Sequence, residues 1–126
     1  MKQIISSNDV PKPIGPYSQA IRKNNMVFIS GQIAIDPKIN ELVTHSIEKE
    51  TKMVMENLKN ILLEAECTFN DVVKCSIFLS DMNSFNAVNK VYGQYFQEPY
   101  PARETIEVKK LPKNVNVEIS AIAICN

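Results

Sequence analysis

The chain has 126 residues, 44% of them apolar and 22% charged, which suits one domain, residues 1–126, with its own core. Fourteen Lys and Arg balance fourteen Asp and Glu, so no global field draws in nucleic acid or anionic lipid, and no apolar run is long enough to span a bilayer. Three cysteines, a single histidine and no C-x-x-C fit neither a disulfide framework nor a zinc site, so Cys67, Cys75 and Cys125 are expected as reduced thiols.

In chain order, Lys2–Ser6 reads as a short edge strand. No continuous apolar segment of the signal-peptide kind occurs in the opening stretch, so the chain is expected to stay in the cytoplasm. "NDVPKPIGPYS" follows; three prolines remove amide donors and fix φ, which makes it a loop. "SQAIRKNNMVFISGQIAI" reads as a hairpin turning at Lys23-Asn24-Asn25, with its second strand at Met26–Ser30. Ser46–Glu66 has the clearest helical pattern. Ser46 is its cap, Glu48 and Glu50 sit near its positive end, and Val54, Leu58, Ile61, Leu62 and Ala65 form its apolar stripe. Val72–Leu79 reads as a strand with Val73, Cys75, Ile77 and Leu79 on one apolar face. A second helix is expected over Ser84–Phe96 with the stripe Phe85, Val88, Tyr92 and Tyr95, ended by Pro99 and Pro101. Two strands, Ala102–Lys109 and Val115–Cys125, close the chain. Helices between strands imply crossovers, so the expected architecture is α+β: a mixed sheet with two helices on one face.

The last strand has an apolar face of Val115, Val117, Ile119, Ala121 and Ala123. Its other face holds Asn116, Glu118, Ser120, Ile122 and Ile124. With both helices already assigned to the first face, these isoleucines are covered by a second copy of the chain or partly exposed at a sheet edge.

Few residues have the chemistry for a site. Arg103 shares a strand face with Thr105, after a proline that orders the entry; it is either a solvated arginine or a planar guanidinium for a carboxylate. Glu118 lies among apolar neighbours, as a surface acid or as the other charge of a cleft; burial would raise its pKa and a nearby arginine would lower it. Asn89 stands at the edge of the second helix's stripe. Gly31, after Ser30, allows close backbone approach or a bulge. Tyr17 either caps a pocket or simply packs its loop. His45 reads as surface and Cys75 as inert core. Phosphate loops, dinucleotide fingerprints and nucleophile elbows are all missing.

"IGPYSQA", "FISGQI", "ENLKNILLEA", "VVKCSIFLSDMNSFNAVNKVYGQYF", "PAR" and "LPKNVNVEISAIA" occur in an order that resembles the RidA, or L-PSP, family of imine and enamine deaminases along essentially the whole chain. The resemblance implies a chorismate-mutase-like fold, a homotrimer with clefts between subunits, and no cofactor or metal. It implies hydrolysis of 2-imino acids such as 2-iminobutanoate and 2-iminopropanoate to 2-oxo acids and ammonia. Arg103 would bind the substrate carboxylate. Glu118 would hold the attacking water, helped by the backbone carbonyl of Thr105. Tyr17, Ser30, Gly31 and Asn89 would line the pocket. Departures from the family pattern are Glu104, usually a small residue, Thr105, often cysteine, and Ser120, often glutamate; Glu104 is expected to point away from Arg103. The rival readings are an endoribonuclease, for which the only basic cluster is Lys109, Lys110 and Lys113, and a non-catalytic ligand-binding or holdase trimer.

Overall fold

A computed structural model describes residues 1–126. In chain order the elements are β1 (Gln3–Ile5), β2 (Ala20–Lys23), β3 (Met26–Gln32), β4 (Ile35–Asp36), β5 (Glu41–Leu42), α1 (Ile47–Glu64), β6 (Val72–Leu79), α2 (Phe85–Gly93), β7 (Ala102–Glu107) and β8 (Val117–Ile124). Six strands form one sheet in the order β1-β2-β3-β8-β6-β7, and β4 and β5 form a small separate ribbon. Only β6 and β7 run parallel, with α2 as their crossover; every other pair is antiparallel. The expected mixed sheet with two helices is present, and β8, the last strand made, lies near its middle.

The Ser46 hydroxyl caps α1 by accepting from the Lys49 N–H at 3.1 Å. Val54, Leu58, Ile61 and Leu62 are buried on α1, facing Val27 and Ile29 of β3, Ile77 and Leu79 of β6, and Val117, Ile119 and Ala123 of β8. Each of these strands thus turns alternate residues toward the helices.

Three local readings are corrected by the structure. Val73 is exposed, because a register shift between Val72 and Lys74 inserts a bulge and moves it off the face of Cys75, Ile77 and Leu79. α2 stops at Gly93. The amides of Gln94 and Tyr95 bond three residues back, to Val91 and Tyr92, and Tyr95 and Phe96 pack instead in an aromatic cluster with Phe69. Cys67 and Cys125 are joined in a disulfide, leaving only Cys75 free and buried. Spacing concealed this pairing because the partners are 58 residues apart, one just past α1 and one at the end of β8; folding brings their Cα atoms to 6.0 Å. Closing a loop of that length stabilises a chain by about 4 kcal/mol in the entropic picture.

Candidate active site

Glu50, in the first turn of α1, is fully buried. Its carboxylate accepts from the backbone N–H of Asn116 at 2.7 Å, the N–H of Val117 at 2.9 Å and the Asn116 side-chain amide at 2.8 Å. It therefore ties the start of β8 to the helix layer, and the next residue along the strand is Glu118.

The Glu118 side chain lies directly over Gly31. A Cβ built on Gly31 would meet Glu118 Oε2 at 2.5 Å and Cδ at 2.8 Å, a separation no real side chain tolerates. The ladder between β3 and β8 shifts register between Ile29 and Gln32, so Ser30-Gly31 is both a bulge and a close approach. Burial pushes the Glu118 carboxyl above its ordinary pKa, and no cation of its own chain lies within ion-pairing distance. Ser30 donates its hydroxyl to the Ser18 carbonyl at 2.6 Å. Tyr17 and Gly31 share the lining of one narrow cavity; Tyr17 and Ser30 share a second, of about 340 Å³, with Phe28 and Ile29. The proline-rich loop carrying Tyr17 is held by buried Gln19, whose side chain accepts from the Ser7 N–H at 2.8 Å and donates to the carbonyls of Ser7 and Pro11, both at 3.1 Å.

Arg103 belongs to a separate group. Its guanidinium carbon stands 5.0 Å from the ring centre of Tyr92 and 5.6 Å from that of Phe85, both on α2. It borders a cavity of about 340 Å³ with Asn89, Tyr92, Gly93, Tyr100 and Pro101. The sole ion pair in the chain is Lys74–Glu104, at 3.0 Å, so Arg103 has no carboxylate partner. Thr105, two residues along the same strand, has a buried hydroxyl with no hydrogen-bond partner. Cys75, opposite Arg103 in the ladder, has its thiol pKa raised by burial, as an inert core cysteine should.

Within one chain the two groups do not meet. Arg103 is in register with core-facing Cys75 and points to the helix side of the sheet. Glu118 alternates with buried Val117 and Ile119, so it points to the other side. A single copy thus holds Glu118, Gly31, Ser30 and Tyr17 at one place and Arg103 and Asn89 at another, with Thr105 beside Arg103. Glu104 points away from Arg103, as expected, and bonds Lys74 and Ser76 on the open face. That face also carries exposed Phe28, Ile106 and Ile124. In the sequence Tyr92 reads only as a core residue and Glu50 only as a helix-dipole partner. Glu50 falls four residues before Val54, in phase with the apolar stripe, which was the available sign that it is buried.

A family model described as "Endoribonuclease L-PSP" matches residues 7–125. A RutC family protein of Pyrococcus horikoshii is 52% identical over 123 residues, covering 98% of each chain. A human protein named 2-iminobutanoate/2-iminopropanoate deaminase is 43% identical over 124 residues, covering 98% of this chain and 90% of its own. The crystal structure of Escherichia coli TdcF with bound serine superposes with a TM-score of 0.93 at 37% identity, covering 98% of this chain and 99% of that one.

Proposed function

This chain belongs to the endoribonuclease L-PSP family, the RidA family, and from that premise we propose that it hydrolyses small 2-imino acids, such as 2-iminobutanoate and 2-iminopropanoate, to 2-oxo acids and ammonia. The observation that carries this reading is a pair of uncompensated charges. Arg103 and Glu118 are each half-buried, opposite in sign, and without a partner in their own chain. Removing an unpaired charge from water is unfavourable, so each calls for compensation from outside the chain. A homotrimer in which the Arg103 group of one copy faces the Glu118 group of the next supplies it and forms the cleft. The uncovered apolar residues Phe28, Ile106 and Ile124 give such an assembly a surface to bury.

In that cleft Arg103 takes the substrate carboxylate through two parallel N–H donors, a contact worth roughly 1.5–3 kcal/mol. Glu118 and the backbone carbonyl of Thr105 hold one water against C2 of the protonated imine. The water oxygen bonds to C2 and its proton passes to Glu118, giving a carbinolamine. Glu118 returns that proton to the nitrogen. The hydroxyl proton then passes to Glu118 as the C–N bond breaks, the C2–O bond becomes the carbonyl of the 2-oxo acid, and ammonia leaves with the C–N electron pair. A positioned carboxylate of this kind accelerates a proton-transfer step by on the order of 10²–10⁴. An iminium carbon is electrophilic enough that the scheme needs no further group. Asn89, Ser30, Tyr17 and the Gly31 backbone complete the walls. The serine bound to TdcF, a small amino acid with an α-carboxylate, is consistent in size and charge with the ligand assigned here.

The test follows the loss of freshly generated 2-iminobutanoate against its spontaneous decay. Wild-type protein should accelerate the loss, and folded Arg103→Ala should not. Near-normal activity in that variant would remove Arg103 from the site.

A further inference from the structure

Arginines in active sites are commonly oriented by a carboxylate, which fixes the guanidinium but also neutralises it and occupies its N–H donors. Arg103 is not held that way, since no Asp or Glu of its chain pairs with it. What lies against it is aromatic. Tyr92, only 6% exposed, presents its ring 5.0 Å from the guanidinium carbon, and Phe85 presents a second ring at 5.6 Å. Both distances are within the range in which a ring quadrupole attracts a cation. Tyr92 is itself fixed by its place in the core: it packs on Phe96 at 4.7 Å between ring centres, and its buried hydroxyl has no polar neighbour beyond the Cys75 thiol.

We propose that Tyr92, with Phe85 as the second ring, is the positioning residue for Arg103: an aromatic platform that orients the guanidinium while leaving its charge and its N–H donors free for an anionic ligand. The inference rests on the reading of Arg103 as the carboxylate-binding group. It adds the reason that a largely buried residue on the inward side of α2 governs affinity through Arg103. The part of Tyr92 that matters is the ring and not the hydroxyl, since the face meets the cation and the oxygen is sealed in the core.

The experiment has one arm that needs no turnover. In wild-type protein the Arg103 Nε–H resonance should be displaced upfield by the ring currents; a resonance at the position of a free arginine overturns the proposal whatever the protein catalyses. In the second arm, Tyr92→Phe should keep the displaced resonance and bind 2-oxobutanoate, a non-reacting carboxylate, within twofold of wild type. Tyr92→Leu, or Tyr92→Met where bulk is needed for folding, should lose the displacement. It should weaken 2-oxobutanoate binding and raise KM for 2-iminobutanoate by about 2- to 30-fold, with kcat nearly unchanged. A fall in kcat with KM unchanged, or equal losses in Tyr92→Phe and Tyr92→Leu, would make Tyr92 a structural residue only. A displaced resonance together with absent imine turnover in wild type would leave the platform standing and bring down the functional reading instead.

Discussion

At the scale of single residues, the site is defined by what its charged groups lack. Glu118 rests on a glycine that cannot be anything else without moving it, and Arg103 rests on rings without an acid. Gly31→Ala should therefore act through Glu118: the new methyl meets the carboxylate at 2.5 Å and drives it from the cleft. We expect at least a tenfold drop in imine turnover, since a misplaced catalytic group on this scale typically loses about two orders of magnitude, while circular dichroism and melting change little. Full activity in Gly31→Ala would mean that the exact seat of Glu118 is unimportant. Arg103, Glu118, Gly31, Tyr17, Ser30 and Asn89 were all visible in the sequence as candidates, each on its own ground: Arg103 on a strand just after a proline, Glu118 between apolar neighbours, Ser30-Gly31 at a strand end that permits close approach, Tyr17 in the proline-rich loop and Asn89 at the edge of a helix stripe. The side that Glu118 faces was legible, since alternation in the last strand sets it opposite the helix-facing residues. The side that Arg103 faces was not: alternation tells only that it shares a face with Thr105, and the register between β6 and β7 is what places it under α2.

At the scale of elements, periodicity located both helices and the strands that position the site, and it failed where one residue breaks the period. The bulge at Val73 reverses the facing of one side chain, and nothing in "VVKCSIFL" marks it. α2 ends a turn early because the aromatic cluster claims Tyr95 and Phe96. The larger omission is the bond between elements made by Glu50. Three N–H donors converge on that carboxylate, and they secure the first residues of β8. Glu50→Ala leaves those donors buried without an acceptor, and should destabilise the protein by about 3 kcal/mol, read as a lower urea midpoint with an unchanged m-value. A loss below 1 kcal/mol would show that water replaces the carboxylate and that α1 does not hold the strand. The disulfide is the same kind of omission: its partners belong to elements far apart in the chain, and only the packed fold makes them neighbours.

At the scale of the whole molecule, one chain carries an unpaired Arg103 and an unpaired Glu118 on opposite sides of a sheet. On the proposed reading, assembly of copies joins them and buries the apolar residues of the open face. A heterologous ring of copies places a different edge and a different face at each boundary, so neither half needs to be duplicated or symmetric. The most direct measurement mixes two defective proteins. Arg103→Ala and Glu118→Gln homo-oligomers should each be inactive in imine hydrolysis. Dissociated together and reassembled at equal amounts, they should recover about a quarter of wild-type activity, because random assortment around a ring puts an intact Arg103 opposite an intact Glu118 at one boundary in four. Mixed oligomers that form, as verified by differential tagging, yet stay as inactive as their parents would contradict a site shared between subunits.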